Sequence, residues 1–242
     1  MSRTWLSIVA TVALTSACAR RPAGPAEPQP KAFGAAVVSV SGEKQAAGVG
    51  AQLDQPVVVQ VNDAKGTAVA GALVRFTGAG GVGFQPDHGL TGADGQFTTN
   101  VGLGSASGWY RIVATTQDST GKAAEVQIDE VALGYQERLG QKLNEIHCIR
   151  CHDSESTAER VSNHDNLEAK PHAFTDGAIL NPMSDAALIA MIGHGGAALN
   201  KSAEMPPYAN TLTRVEIEAL VAYLRAVADP PYRPQGIFYA SN

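Results

Sequence analysis

The spacing of apolar residues changes once along this chain, near residue 133. Before that point, short runs of valine, leucine, isoleucine and phenylalanine alternate with turns rich in glycine and aspartate, such as Ala93-Asp94-Gly95. Runs of this kind predict β-strands, and about seven of them without helical periodicity are typical of an antiparallel sandwich. The clearest runs lie at residues 37–40, 57–61, 73–76, 97–103, 109–115 and 126–128.

After residue 133 the apolar residues follow the period of an α-helix. Four of them stand at positions i, i+4, i+8 and i+11, which lie on one helical face. They are Tyr135, Leu139, Leu143 and Ile146. We therefore expect a helix that buries this face.

Two further helices are predicted from their first residues. Ser184 can cap a helix that carries Leu188 and ends near the glycines at 193–196. Thr213 and Glu216 form a capping-box pattern before the last helix. The apolar stripe of that last helix consists of Ile217, Leu220, Val221 and Leu224. The sequence thus predicts a multidomain protein in which an all-β sandwich precedes an all-α domain.

The first residues have the pattern of an export signal. A basic start with Arg3 precedes a mostly apolar stretch at residues 5–14, which is too short to cross about 30 Å of hydrocarbon. The next residues, Leu14-Thr15-Ser16-Ala17-Cys18, resemble the bacterial lipobox. That resemblance implies lipidation of Cys18 at the start of the mature protein, and plain signal-peptidase cleavage is the alternative.

A proline-rich segment follows the signal and divides it from the sandwich. Its prolines favour an extended polyproline II tether over a helix or a central strand. They are Pro22, Pro25, Pro28 and Pro30. We divide the chain into a signal peptide at 1–17, a lipid-anchored linker at 18–35, a sandwich at 36–132 and a helical domain with a C-terminal tail at 133–242.

Charge and cysteine content narrow the possible functions. The 242 residues contain 18 lysines and arginines against 23 acidic residues, a net charge of -5, and the basic residues do not cluster. This balance argues against a nucleic-acid partner. Three cysteines are also too few for a disulfide-rich secreted scaffold.

The strongest chemical signal is the motif Cys148-Ile149-Arg150-Cys151-His152. Two thiols three residues apart on a helical turn can each add to a haem vinyl group, and the adjacent imidazole can then bind the iron. A zinc site would need a second pair of ligands, and a thioredoxin-like pair would need a βαβ setting. The sequence pattern shows neither a second pair of zinc ligands nor a βαβ unit. We therefore expect one covalently attached haem c.

The second axial ligand is expected downstream of the motif. Met205 is the best candidate, because Pro206 and Pro207 stiffen the loop that carries its thioether. Other candidates are Met183, Met191 and His194. The glycines around His194 indicate a close backbone approach rather than ligation.

The helical half resembles a monohaem cytochrome c domain of the class I, or cbb3-subunit, type. The resemblance rests on Gly140, the CxxCH motif, Met205-Pro206-Pro207-Tyr208 and Ala222-Tyr223-Leu224. It implies that Cys148 and Cys151 form the thioethers and that His152 and Met205 are the axial ligands of the iron. It further implies that the Pro171 carbonyl accepts a hydrogen bond from the proximal imidazole and that Tyr208 contacts the ligand shell.

The β-rich half resembles a bacterial immunoglobulin-like domain of the invasin (Big-1) type. The matching stretches are Val59-Gln60-Val61-Asn62-Asp63, residues 69–76, Thr91-Gly92-Ala93-Asp94-Gly95 and residues 108–114. This resemblance implies architecture more than activity. Trp109 is expected in the core, and stacking on a sugar is the alternative.

Closed His/Met coordination implies one-electron transfer rather than catalysis. We therefore expect an exported electron-transfer protein, acting alone or in an oxidoreductase complex. We expect it in the periplasm or at the cell surface, attached to a membrane by the lipid on Cys18. Its expected partners are redox proteins. The sandwich would be a spacer or docking domain. The alternatives are a haem enzyme or sensor with an open distal site, such as a peroxidase, and an adhesin or scaffold with a passenger haem domain.

Overall fold

The computed structural model describes residues 28–155 and 160–234, in which a β-rich region precedes a helical one. The expected signal sequence and Cys18 lie outside these residues. The strands are β1 Ala36–Ser41, β2 Ala46–Gly48, β3 Val57–Asn62, β4 Leu73–Gly78, β5 Gly83–Gln85, β6 His88–Leu90, β7 Gln96–Gly102, β8 Gly108–Gln117 and β9 Ala123–Leu133. The helices are α1 Tyr135–His147, α2 Ile149–His152, α3 Gly177–Leu180, α4 Asp185–His194 and α5 Arg214–Val227.

The strands form two sheets around one apolar core. One sheet has the order β1-β3-β7-β5 and the other the order β2-β9-β8-β4-β6. Neighbouring strands are antiparallel except β2 and β9, which are parallel. Successive side chains of a strand point to opposite faces of the sheet. In β3, Val57, Val59 and Val61 therefore point into the core and are fully buried. The expected antiparallel sandwich is therefore observed, with the additional three-residue strands β2, β5 and β6.

Trp109 does not lie in the core, so the expectation for this residue is wrong. Strand β8 turns Tyr110, Ile112 and Ala114 inward, and the period of two then places Trp109 on the opposite face. Its side chain is 36% exposed, whereas Tyr110 is buried. The Tyr110 hydroxyl donates to the carbonyl of Ala106 at 2.9 Å. Tyr110 is therefore the core aromatic residue of this strand.

The predicted helix caps are confirmed. The Ser184 hydroxyl accepts a hydrogen bond from the backbone N–H of Ala187 at 3.2 Å. The Thr213 hydroxyl accepts from the Glu216 backbone, and the Glu216 carboxylate accepts from the Thr213 backbone at 2.7 Å. No helix among the described residues is long and apolar enough to cross a membrane.

Helix α1 buries only part of the face that its apolar residues predict, since Leu143 is buried and Leu139 is partly buried against the helical core. Tyr135 and Ile146 are 91% and 72% exposed. The buried residues are Gly140, Leu143 and Asn144, where α1 meets α5. The crossing of α1 and α5 therefore also buries a glycine and an asparagine, which the spacing of apolar residues does not predict.

Gly140 allows α1 and α5 to touch through their backbones. A Cβ atom on Gly140 would lie 2.0 Å from the carbonyl oxygen of Ala219 and 2.7 Å from the Cβ of Tyr223. Neither neighbour can rotate away, because one is backbone and the other is the root of a side chain. Any larger residue must separate the two helices.

We expect Gly140→Val to lower the free energy of unfolding by about 3 kcal/mol, because it overpacks this crossing. Urea denaturation followed by far-UV circular dichroism measures the change. Gly193→Ala in α4 is the matched control, since its new Cβ would meet Ala209 and Ile217 at 3.9 Å, an ordinary contact. Equal stability of the two variants would show that the crossing tolerates a side chain.

Glu130 is a fully buried carboxyl group inside the sandwich. Its Oε2 accepts a hydrogen bond from the backbone N–H of Gln45 at 2.6 Å. Its Oε1 has no hydrogen-bond partner within the part of the chain that the structure describes. Burial, opposed by the hydrogen bond from Gln45 and aided by the carboxylates of Glu43 and Asp129, raises the pKa of Glu130 to about 8. The folded state therefore favours the protonated acid.

The free energy of unfolding should consequently fall as the pH rises from the ordinary glutamate pKa, about 4.3, to about 8, because the unfolded chain loses this proton first. Glu130→Gln, which mimics the protonated acid, should flatten this decline. Thermal melts between pH 5 and 9, a range that includes the Glu130 pKa of about 8, measure this pH dependence of stability. Glu125→Gln, at an exposed position of the same strand, should keep the wild-type profile. An unchanged slope in the Glu130 variant would contradict the assignment.

Candidate haem site

The CxxCH motif forms a separate helical turn directly after α1. Cys148 interrupts the helix with φ -119° and ψ -42°, and α2 restarts at Ile149. The backbone N–H groups of Cys151 and His152 both donate to the carbonyl of Cys148 at 3.0 Å. The N–H of Cys148 donates in turn to the carbonyl of Asn144 at 2.9 Å. These bonds hold both thiols and the imidazole in one fixed turn.

The motif lines a cavity of about 570 Å³ between α1, α4 and the loop that carries Met205. This volume is within the range that holds cofactors and drug-sized ligands, roughly 300–1,000 Å³. The side chains of the wall that carry sulfur, an imidazole or a phenol are His147, Cys148, Cys151, His152, His172, Met183, Met191, Met205 and Tyr208. The apolar part of the wall includes Leu167, Phe174, Ile179, Leu180, Leu188, Ile192 and Leu224. A large flat apolar group with an iron atom suits this donor set.

The imidazole of His152 is held from two sides. Its Nδ1 lies 2.7 Å from the carbonyl oxygen of His172, and the ring of Phe174 lies edge-on with centroids 5.1 Å apart. A carbonyl only accepts, so Nδ1 carries the proton and Nε2 keeps its lone pair for a metal. Burial lowers the pKa of His152, which also keeps the ring neutral. The cytochrome c resemblance implied that the Pro171 carbonyl accepts this bond, but the carbonyl of the next residue, His172, accepts it instead. Pro171 lines the cavity.

The two thiols suit thioether formation better than metal ligation. Cys148 and Cys151 are free thiols. Burial, with Cys151 nearby, raises the pKa of Cys148 to about 12, so this thiol stays protonated. Zinc requires thiolates, and no group of three or more metal-ligating residues occurs in residues 28–155 and 160–234.

The loop of Met205 packs against the end of α4. The N–H of Gly196 donates to the carbonyl of Met205 at 3.0 Å. Gly195 has a φ of +76°, and a Cβ on it would lie 2.8 Å from the same carbonyl. The glycines therefore serve a close backbone approach, as the sequence indicates. His194 is exposed and does not line the cavity, whereas Met183 and Met191 do.

Tyr208 joins the two walls of the cavity. Its hydroxyl donates to the carbonyl of His147, directly before the motif, at 2.9 Å. Its backbone N–H donates to the carbonyl of Ile192 in α4 at 3.1 Å. Burial raises the pKa of Tyr208, so the phenol remains a hydrogen-bond donor. This side chain fixes the Met205 loop relative to the motif.

Glu204 is a site residue that the sequence pattern does not reveal. Its carboxylate accepts hydrogen bonds from the backbone N–H groups of Glu168, at 3.1 Å, and Ala169, at 3.4 Å. It also accepts from the Ser202 hydroxyl at 3.2 Å. The carboxylate thereby ties the Met205 loop to residues 167–171 across the cavity. An exposed acidic residue in a polar loop carries no periodic signal that would predict this.

Comparison with known proteins gives a family for the helical region. The family model for cytochrome c oxidase, cbb3-type, subunit III, matches residues 136–224. None of the curated proteins compared with the chain matches it.

Solved structures similar to the chain include domains of intimin, an adhesin and invasin. The D00-D0 domain of intimin is 16% identical, with 46% of this chain and 50% of that chain covered and a TM-score of 0.30. The Yersinia pseudotuberculosis adhesin InvE is 14% identical, with 40% and 32% covered and a TM-score of 0.31. Invasin, a bacterial integrin-binding protein, is 21% identical, with 40% and 19% covered and a TM-score of 0.29. The chain thus spans about half the length of the intimin structure.

The β-rich region is similar to these immunoglobulin-like domains, as the sequence suggests. The family match extends from the second residue of α1 into α5 and includes the CxxCH motif and Met205. The expected resemblance of the helical region is confirmed: residues 136–224 match the family model for cytochrome c oxidase, cbb3-type, subunit III, a cytochrome c domain.

Proposed function

We propose that the helical region binds one haem c covalently and that the protein transfers single electrons. Cys148 and Cys151 would attach the group, and His152 and Met205 would be its axial ligands. The observation that carries this proposal is that one mainly apolar cavity is lined by both thiols, the imidazole and the Met205 thioether. When bound, haem c supplies an iron that alternates between the ferric and ferrous states.

The protein's own contribution is to orient the ligands and exclude water. The hydrogen bond from Nδ1 of His152 to the carbonyl of His172 fixes the tautomer of the ring. It also makes Nε2 a more basic ligand for a metal. The glycines beside α4 and the Tyr208 hydroxyl hold the Met205 loop at the cavity. If His152 and Met205 both bound the iron, small ligands would have no open coordination site. This arrangement favours electron transfer over a peroxidase or a gas sensor.

The redox partners are proposed from charge. Residues 134–242 contain 9 basic and 13 acidic side chains, a net charge of -4. A surface of this sign favours partners that are positively charged or apolar where they dock. Membership of the cytochrome c family agrees with export from the cytoplasm.

We further propose that the mature protein is attached to a bacterial membrane by a lipid on Cys18. The proline-rich linker and the sandwich would then hold the haem domain away from the membrane surface. This proposal is supported by the lipobox-like residues before Cys18 and by the prolines that follow it.

The axial ligand is tested with Met205→Ala, produced in a host that attaches haem c. The wild-type protein should give a two-thioether pyridine haemochrome and the near-infrared band of Met-ligated ferric haem. The variant should lose that band, bind carbon monoxide in the ferrous state and have a lower reduction potential, because methionine ligation raises the potential. Met183→Leu and Met191→Leu are the controls and should keep the band. If the band persists in Met205→Ala, or if the wild type binds carbon monoxide readily, the proposed coordination is wrong.

The anchor is tested with Cys18→Ser in the full chain. The wild-type protein should sediment with membranes and appear in the soluble fraction only when detergent is added. The variant should appear in the soluble exported fraction with the same haem spectrum, because the CxxCH motif is intact. A variant that still sediments with membranes would contradict a lipid on Cys18.

A further inference from the structure

Residues 172–177, here called the proximal segment, touch His152 at two points. The carbonyl of His172 accepts the hydrogen bond from Nδ1 at 2.7 Å. The Phe174 ring lies against the imidazole edge-on, with centroids 5.1 Å apart. The orientation of the imidazole therefore depends on where this segment lies.

An apolar contact links the proximal segment to the β-rich region. Val131 and Leu133 at the end of β9 form a buried cluster with Val227 of α5, and Phe174 packs against this cluster. Phe174 also packs against the apolar core that surrounds the haem cavity. The same ring thus contacts the proximal imidazole and belongs to the junction between the two regions.

A second contact, made by polar groups, reaches the same segment. The backbone N–H of Asp229 donates to the carbonyl of Thr175 at 2.8 Å, and the carbonyl of Asp229 accepts from Gly177 at 3.1 Å. The Asp229 carboxylate pairs with Lys44, between β1 and β2, at 2.7 Å. Because both side chains of this ion pair are about half exposed, the pair contributes little. The apolar contact is therefore the main one.

The connection between the two regions is a single residue. Strand β9 ends at Leu133 and α1 begins at Tyr135, with only Gly134 between them. Val131 and Leu133 are 3% and 1% exposed, because the end of the strand packs against the helical region. A simple spacer would need neither this short connection nor this buried cluster.

We propose that the β-rich region positions the proximal ligand. Packing of the end of β9 against Phe174 holds the proximal segment, and the segment holds His152 through the His172 carbonyl and the Phe174 ring. The hydrogen bonding and orientation of an axial imidazole affect the potential of its iron, so the sandwich would help to set the reduction potential. This inference rests on the proposed function, in which His152 binds haem iron.

Val131→Ala in the full-length holoprotein tests the apolar contact. Val74→Ala is the matched control: both valines are buried in the five-stranded sheet, but Val74 belongs to the sandwich core and not to the junction. Three quantities are measured in each protein. They are the midpoint potential, the hyperfine-shifted proton NMR signals of the His152 ring, and the amide hydrogen exchange rates of Gly177 and Asp229.

We expect Val131→Ala to shift the potential and the ring signals and to speed exchange at both amides by about fivefold to tenfold, as local packing is lost. Val74→Ala should leave all three at wild-type values. Wild-type values in Val131→Ala, or equal changes in both variants, would overturn the proposal. If the wild type contains no haem c, the proposed function fails, and the exchange rates alone then decide whether the sandwich holds the proximal segment.

Lys44→Met tests the polar contact without disturbing the core. Its control is Arg111→Met, which removes a similarly exposed ion pair with Asp129 at 3.0 Å on the sandwich. We expect up to about twofold faster exchange at Asp229 and Gly177 in the Lys44 variant only. Identical rates in the two variants would remove Lys44 from the proposal.

Discussion

The backbone turn from Asn144 to His152 is the constraint on which the site depends. Its hydrogen bonds, centred on the carbonyl of Cys148, hold two thiols and an imidazole on one short piece of chain. The turn is attached to α1, and α1 is held against α5 by direct backbone contact at Gly140. The position of the reactive groups is therefore set by a crossing more than one helical turn away, where a single methyl group would interfere.

The opposite wall of the cavity lies on loops and needs separate restraints. The Gly196 N–H, the Tyr208 hydroxyl and the Glu204 carboxylate each join the Met205 loop to a different neighbour: α4, the end of α1 and residues 167–171. A thioether is a weak ligand on a flexible side chain, so its position has to come from the backbone that carries it. Pro206 and Pro207 reduce the conformational freedom of that backbone further.

Features encoded locally could be predicted from the sequence. The CxxCH spacing and the caps at Ser184 and Thr213 each involve residues at most four positions apart, and the valine run of β3 lies within six residues. Features that depend on distant packing could not. The exposure of Trp109 follows from the register of β8, and the hydrogen bond of His152 to His172 rather than Pro171 joins residues 20 positions apart. Neither is recorded in any short pattern.

The junction of the two regions bears on how the whole chain works. Distance from a membrane could be provided by the proline-rich linker alone, since an extended chain gains about 3.1 Å per residue. The sandwich instead packs two buried side chains of β9, Val131 and Leu133, against the helical region. Only Gly134 separates β9 from α1. Buried apolar contacts are more specific in geometry than exposed ion pairs, because close packing tolerates little displacement. The end of the sandwich therefore belongs, through Phe174, to the packing that supports His152.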